Sequence, residues 1–389
     1  MFAVLKNRRK VLTGLAAFAV ALSLAACDPI PGGGVSINPG APVNVALILP
    51  GGWGNPGDDV LARNLQQAAE MAIADLDGVK IDLHVYNAGA DASATAAVAR
   101  KAVDEGAKII LGPVFAQSAN AAGVAVADSG VNVLSFSNNT EIAGGNVFVL
   151  GPTFENTADR LVSYAARQGK GRMIVVHDNN PAGELGLRAI RSAAAHSGAS
   201  VVGTATYEFS QQGVVNAVPG IVSSVRTNSA DSVFFTADTA GALPLLAQLL
   251  PEAGVSNQTT QFIGLTRWDI PTATLAMPGV QNGWFALPDP ALTAQFQARF
   301  TAAYGEAPHP IAGLAYDGIA AIGALVKQGN PDALTATALT QSAGFAGVTG
   351  VFRLRPDGSN QRGLAVAQIK NGQVVVLDPA PRSFGGAGF

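Results

Sequence analysis

The chain has 389 residues, of which 48% are hydrophobic and 13% are charged. Its length exceeds that of a typical single domain and predicts two lobes, and its composition is typical of a folded protein with large buried parallel sheets. The formal net charge of −3 argues against a nucleic-acid partner, because nucleic-acid-binding surfaces are usually basic.

The amino terminus is predicted to be a targeting segment. A basic region at residues 6–10 precedes an apolar stretch at residues 11–21. The only cysteine, Cys27, follows Leu-Ala-Ala, and this motif resembles the bacterial lipobox. It implies that residues 1–26 are a signal peptide and that Cys27 carries a lipid anchor to the membrane. The alternative is an ordinary signal peptide with an incidental cysteine. Asp28 resembles a signal for retention at the inner membrane.

Residues 27–42 are rich in Pro and Gly and predict a flexible tether. An alternating series of strands and helices follows, which predicts a parallel sheet covered by helices. The strands are predicted at 43–49, 79–86, 108–111 and 131–134, and the helices at 61–76, 92–105 and 117–128.

A second series of similar size begins near residue 157. Its strands are predicted at 172–176, 200–207, 232–235 and 261–264, and its helices at 158–168, 184–196, 214–227 and 241–250. After it, the sequence predicts a short strand at 284–286 and helices at 291–304, 311–327 and 331–341. A hairpin of 350–354 with 364–369 and a last strand at 374–377 complete the pattern.

Several motifs are spread along the whole series in a recognisable order. They are the strand and Gly-rich loop at 47–57, Leu-Gly-Pro-Val at 111–114, Val-Leu-Ser-Phe-Ser at 133–137, Val-Val-His-Asp at 175–178, Tyr-Asp-Gly-Ile-Ala at 316–320 and Phe-Ala-Gly-Val-Thr-Gly at 345–350. This order resembles the type 1 periplasmic-binding fold and, within it, the branched-chain amino acid (leucine) binding proteins. Gly-Pro-Val-Phe-Ala-Gln-Ser at 112–118 and Leu-Ser-Phe-Ser-Asn at 134–138 also resemble the penicillin-binding protein activators, lipoproteins of the same superfamily.

The resemblance implies an α/β fold with two doubly wound parallel-sheet lobes, a hinge between them and a ligand cleft. Crossings are expected near residues 150, 277 and 344. Lobe 1 would then comprise 43–149 plus 278–344, lobe 2 would comprise 150–277 plus 345–378, and 379–389 would form a tail.

In the amino-acid binders, polar loops of the first lobe hold the carboxylate and amino group of the ligand. By resemblance the corresponding residues here are Gln117, Ser118, Ser137, Asn138 and Asn139. The alternative is helix capping, because Ser and Asn are favoured at helix starts. Ala116 stands about where the family usually has a hydroxyl group.

The second lobe departs from the family pattern, because Ala182 stands where a tyrosine usually closes on the ligand. The next cleft loops contribute Asp238, Arg267 and Trp268 as candidate ligand contacts. Arg267 cannot pair with an ammonium group, so an anionic or peptide-like ligand fits better than a free amino acid. The alternative for Arg267 is a salt bridge.

Trp53, in the first loop, is a further candidate contact, and its alternative is a packed edge residue. The surrounding Gly-x-Gly-x-x-Gly at 52–57 would by itself suggest a dinucleotide site. We reject that interpretation, because Pro56 stiffens the loop and no clear acid ends the second strand.

The sequence offers no catalytic or metal site. The four histidines lack metal-ligand spacing, and no Gly-x-Ser-x-Gly motif is present. We therefore expect a protein that is not an enzyme and uses no cofactor or metal.

Two functions fit these patterns. One is a solute-binding lipoprotein that captures a small amino-acid-like or peptide-like ligand for the permease of an ABC transporter, on the periplasmic side of the cell envelope. The alternative is a penicillin-binding protein activator, a non-enzymatic regulator of peptidoglycan synthesis.

Overall fold

The computed structural model describes residues 35–385. The predicted signal peptide, the lipidation site at Cys27, and parts of the tether and tail lie outside the described residues. No helix within residues 35–385 has the length and apolar character needed to cross a membrane.

The first lobe is built on a five-stranded parallel sheet with the order β2-β1-β3-β4-β5. In the centre of the sheet, Leu47 of β1 pairs with Val85 of β2 and Leu111 of β3. The near-continuous apolar sequence of β1 follows from its position, because helices cover both faces of the strand. The strands are β1 (Val43–Leu49), β2 (Ile81–Asn87), β3 (Ile109–Leu111), β4 (Asn132–Ser135) and β5 (Val147–Val149).

Three helices connect these strands, and their starts are encoded locally. The side chain of Asn55 caps α1 by accepting a hydrogen bond from the Gly57 N–H, and Asp91 caps α2 in the same manner. Leu61 and Leu65 lie on the buried face of α1, as the helical spacing predicts. The helices are α1 (Pro56–Ala74), α2 (Ala92–Asp104) and α3 (Ala116–Val126).

The second lobe is built on a seven-stranded sheet with the order β15-β14-β10-β9-β8-β6-β7. β14 pairs antiparallel with β10 and with β15, whereas β6 to β10 run parallel. The strands are β6 (Arg172–Asp178), β7 (Ser200–Tyr207), β8 (Ser232–Phe235), β9 (Gln261–Gly264), β10 (Trp284–Leu287), β14 (Ala365–Lys370) and β15 (Gln373–Asp378). The covering helices are α4 (Phe154–Arg167), α5 (Pro181–Ser197), α6 (Gln211–Thr227) and α7 (Leu243–Glu252).

After β10 the chain returns to the first lobe. Helices α8 (Pro290–Tyr304) and α9 (Gly313–Val326) pack there with the apolar side chains of α1, and the short α10 (Ala336–Leu339) follows. A small antiparallel sheet of β11 (Phe345–Gly347), β12 (Gly350–Leu354) and β13 (Asn360–Arg362) places Phe345 and Phe352 in the same core. The prediction of an α/β fold with parallel sheets is confirmed.

Two expected crossings differ from the observed ones. The expected first lobe includes all of 278–344, but β10 pairs with β9 and β14 of the second sheet. The expected second lobe includes the chain from residue 345, but β11 and β12 pack on the first lobe and β13 pairs with β12. The crossings therefore follow β10 and β13. The expected partner of β12 also differs, because β12 pairs with β13 rather than with 364–369.

Polar side chains connect the crossing near residue 150 with the segment around the crossing after β13. Asn360 Nδ2 donates hydrogen bonds to the carbonyl oxygens of Val149 at 2.7 Å and Gly151 at 2.8 Å. Arg362 Nε donates to the Leu150 carbonyl at 2.8 Å, and Arg160 Nε donates to the Leu364 carbonyl at 2.6 Å. These bonds satisfy buried backbone groups where the segments run side by side between the lobes.

Candidate functional site

A cavity of about 270 Å³ lies between the two lobes, next to the crossings. Asn138 follows β4 of the first sheet, and the loop with Leu265 and Arg267 follows β9 of the second sheet, so both loops leave the carboxyl ends of parallel strands. Small-molecule sites of α/β proteins are found at this edge. The cavity is lined by Asn138, Pro152, Thr153, Phe154, Thr157, Leu265, Thr266, Arg267, Ile270, Ala286, Leu287, Pro288, Pro310, Ile311, Leu314, Thr349, Arg362 and Leu364.

Three larger depressions, of about 530, 830 and 530 Å³, lie elsewhere on the surface. The first is formed by lobe 1 residues such as Asp75 and Tyr316, and the other two by lobe 2 residues such as Pro244 and Arg226. A ligand in any of these depressions would touch one lobe alone. The cavity between the lobes is therefore the candidate site, because its occupant would contact both lobes.

Arg267 brings a charged group to the cavity wall from the loop after β9 of the second lobe. It makes a two-pronged ion pair with Asp269, in which Nε lies 2.6 Å from Oδ1 and Nη2 bonds Oδ2. The Arg267 side chain is one third exposed, whereas that of Asp269 is 13% exposed and does not line the cavity. Asp269 thus fixes the orientation of the guanidinium and occupies the edge formed by its Nε and Nη2.

A second arginine, Arg362, lines the cavity from the last position of β13. Its Nη1 lies 3.3 Å from Asp317 Oδ2 and donates to Thr349 Oγ1 at 2.8 Å. Burial raises the pKa of the Asp317 carboxyl, and the charge of Arg362 opposes that shift. The guanidinium stacks over Phe352, and its buried Nη2 makes no hydrogen bond within the described part of the chain.

The structure places two of the predicted residues, Asn138 and Arg267, on the cavity wall. Gln117 is exposed in the first turn of α3 but does not line the cavity. Ser118 is buried, and its hydroxyl donates to the Ala90 carbonyl at 3.2 Å inside lobe 1. Ser118 therefore faces away from the site that the sequence assigned to it.

The neighbouring polar residues make hydrogen bonds within local turns. Ser137 Oγ accepts from the Asn139 N–H at 3.1 Å, and Asn139 Oδ1 accepts from the Glu141 N–H at 2.9 Å. Asp238 is exposed and accepts from the Gly241 N–H at 2.5 Å. None of these three residues lines the cavity.

The two predicted tryptophans lie in opposite environments. Trp268 is fully buried, because its ring folds back against Gly264 and Gly283 in the core of lobe 2. It is therefore a core residue and does not contact the cavity. Trp53 is 63% exposed and lies against Gly89 at the rim of lobe 1.

A polar cluster organises the carboxyl edge of the second sheet beside Ala182. Asp178 Oδ1 accepts from the Tyr207 hydroxyl at 2.6 Å and from the Thr236 hydroxyl at 3.3 Å, which joins the ends of β6, β7 and β8. Burial, together with the hydrogen bond to Asp178, raises the pKa of Tyr207. Asn180 Nδ2 donates to Asp178 Oδ2 at 3.1 Å. The cluster is internally satisfied, which indicates a structural role.

Most of the apolar wall was not predicted from the sequence. Phe154 begins α4, and Ile270 follows Asp269. Ile311 lies just before α9, and Leu314 lies in its first turn. The Gly-Pro pair at 151–152 was the one sequence signal for this part of the wall, because it indicated the crossing near residue 150. No group of His, Cys, Asp and Glu side chains within residues 35–385 could hold a metal ion.

Comparisons with known proteins agree with this geometry. Residues 43–373 match a family model described as periplasmic binding protein. No curated protein matches the chain significantly.

Solved structures match over most of the chain. A putative branched-chain amino acid ABC transporter protein from Rhodospirillum rubrum has 17% identity and a TM-score of 0.74, covering 87% of this chain and 100% of that one. An ABC transporter substrate-binding protein from Desulfitobacterium hafniense in complex with Leu has 19% identity and a TM-score of 0.65, covering 87% and 100%. A solute-binding protein from R. palustris in complex with benzoate has 19% identity and a TM-score of 0.58, covering 90% and 99%. At these identities the likeness establishes the fold.

Proposed function

We propose, because the chain belongs to the periplasmic binding protein family, that it is a solute-binding protein that captures a small organic solute between its two lobes. The observation that carries this proposal is the cavity lined by Asn138 and Ile311 of one lobe and Arg267 of the other. A solute that contacts both walls binds the closed conformation of the lobes more tightly than the open one. The equilibrium then shifts towards the closed conformation by the difference between the two binding free energies. This function requires binding and hinge closure, and no catalysis.

The proposed ligand is a small amino-acid-like or peptide-like molecule, and the proposed partner is the permease of an ABC transporter. Two proteins of similar structure support a small organic ligand and a transporter partner, because both belong to ABC transporters and one holds Leu and the other benzoate. Pockets for such ligands are mostly apolar with a few placed polar groups. The wall of this cavity has that composition, with two arginines and Asn138 among mainly apolar and threonine side chains.

A thermal-shift screen of the purified protein tests the proposal. The panel contains amino acids, short peptides, organic acids and peptidoglycan fragments. A ligand at 100 times its dissociation constant stabilises the folded state by about 2.7 kcal/mol, which is readily detected. We expect at least one class to raise the melting temperature in a dose-dependent, saturable manner. A panel without any stabilising compound would refute solute binding.

We also propose that a lipid on Cys27 anchors the protein at the periplasmic face of the cell envelope, with Asp28 favouring the inner membrane. The support is the lipobox-like motif after an apolar segment. Mass spectrometry of the protein expressed in a bacterial host should show an acylated amino-terminal Cys27. Release of Cys27→Ser into the soluble fraction is expected, and membrane retention of this variant would contradict the anchor.

A second candidate is activation of a penicillin-binding protein. It is supported by Ala116 and Ala182, which replace the usual ligand-contacting side chains, and by the activator-like motifs around residues 112 and 134. Co-purification with a bifunctional penicillin-binding protein and stimulation of its glycan polymerisation would support it. Absence of both effects would exclude it. Under this candidate, a variant with Gln117 and Asn138 changed to Ala should keep its binding to the synthase.

A further inference from the structure

We infer that the cavity selects an organic carboxylate with an apolar body and no free ammonium group, held by the unoccupied edge of the Arg267 guanidinium. This inference rests on the proposed solute-binding function and names the ligand class of the same cavity.

The charged groups on the cavity wall have one sign. Two guanidinium groups, from Arg267 and Arg362, line the cavity, and its described wall contains no Asp or Glu. The carboxylates that neutralise them, Asp269 and Asp317, lie outside this wall and are engaged by the two arginines. An ammonium group has three hydrogen-bond donors and no acceptor, so it needs acceptors and is best neutralised by a carboxylate. The cavity wall offers it no carboxylate.

The geometry of Arg267 leaves a place for a carboxylate. Asp269 uses the edge formed by Nε and Nη2, and the Arg267 side chain makes no other hydrogen bond within the described residues. The remaining edge of a guanidinium, formed by Nη1 and Nη2, matches a carboxylate in a two-pronged arrangement. Because Asp269 holds the guanidinium in place, little side-chain entropy remains to be lost when a ligand binds.

The rest of the wall selects ligands whose remaining part, apart from the carboxylate, is apolar. Phe154, Leu265, Ile270, Ile311 and Leu314 present apolar surface to the cavity. A ligand that filled this space with a charged or strongly polar group would leave that group without a partner, at a cost in affinity. The favoured ligand therefore has a branched aliphatic or aromatic body attached to a single carboxylate.

Calorimetric titration with a matched series of probes tests this inference. The series is 4-methylpentanoate, its amide 4-methylpentanamide, and leucine, which adds an α-ammonium group to the same skeleton. We expect the acid to bind the wild-type protein more tightly than the amide by about 10- to 100-fold, the range for a hydrogen bond to a charged group. We expect leucine to bind more weakly than the acid.

The variant Arg267→Gln should remove the preference for the acid over the amide. Arg299→Gln is the control, because Arg299 also forms an ion pair, in which its Nη2 bonds both carboxylate oxygens of Asp75, but does not line the cavity between the lobes. We expect the control to retain the wild-type preference. Urea unfolding of both variants verifies that they are folded.

Two results separate this inference from the proposed function. If leucine or the amide binds at least as tightly as the acid, or if Arg267→Gln keeps the preference, the carboxylate inference is overturned while solute binding stands. If neither these probes nor any compound of the broader panel binds the wild-type protein, both fail together.

Discussion

Arg362 and Asp317 form a buried ion pair that joins the end of β13 to helix α9, with 3.3 Å between Nη1 and Oδ2. Removing one partner of such a pair leaves an uncompensated buried charge, which typically costs 3–5 kcal/mol. We therefore expect Asp317→Asn to lower the free energy of unfolding by about 3 kcal/mol or more. Urea denaturation measures this loss.

The matched control for Asp317→Asn is Asp77→Asn. Asp77 pairs with Lys327 at a similar distance of 3.2 Å, but the Asp77 side chain is 95% exposed. Surface pairs of this kind are worth about 0–1 kcal/mol. Equal losses of stability in the two variants would contradict a structural role for the buried pair.

The position of Trp268 in the core of lobe 2 gives a second prediction. A Cβ atom added to Gly264 would lie 2.1 Å from Trp268 Nε1, and the ring is fully buried and lies against Gly283 through other atoms of its side chain. We expect Gly264→Ala to destabilise the protein by about 1–3 kcal/mol, the usual cost of overpacking a core. Thermal unfolding measures the change.

Gly220→Ala is the control for this prediction. Gly220 lies within helix α6 with nothing within 4 Å of an added Cβ atom, so alanine should stabilise the helix by about 0.5–1 kcal/mol. If Gly264→Ala proved neutral, the ring of Trp268 would have to lie elsewhere, and its assignment as a core residue would be wrong.

The stability of the first lobe should depend on pH through His309. Burial lowers the pKa of His309 below its ordinary value of 6.5, so just below pH 6.5 the unfolded chain binds more protons than the folded chain. The free energy of unfolding therefore falls as the pH drops from 6.5 towards the folded pKa. We expect His309→Gln to make the urea midpoint less dependent on pH between 7.5 and 5.5.

One result of this comparison would contradict the prediction for His309. The same dependence on pH in the wild type and His309→Gln would show that His309 does not titrate differently in the folded and unfolded states.

Much of the fold could be predicted from the sequence because the periodicity of apolar residues is local. The continuous run of β1 and the helical stripe of Leu61 and Leu65 identify their elements directly. The sheet to which a short strand belongs is not a local property. All four residues of β10 are buried, and nothing in its local sequence indicates which strands it pairs with. Its place in the second sheet was therefore not predicted.

The site was predicted less completely than the fold, for a related physical reason. Arg267 could be found because it follows a predicted strand at the carboxyl edge of the sheet. Ile311 and Leu314 belong to a distant helix start, and only the packing of the two lobes brings them to the same cavity. Trp268 follows the same strand as Arg267, but its ring folds back onto the glycines of the core.

The central claim, that a solute occupies the cavity between the lobes, is tested most directly by calorimetric titration of two tryptophan variants with the strongest ligand of the panel. Asn138 and Gln117 are both exposed residues of lobe 1, but only Asn138 lines the cavity. We predict that the wild type and Gln117→Trp each bind one equivalent of ligand. Asn138→Trp should give no binding heat, because the indole is much larger than the asparagine side chain and obstructs the cavity. Full binding by Asn138→Trp, or equal loss in both variants, would contradict the claim.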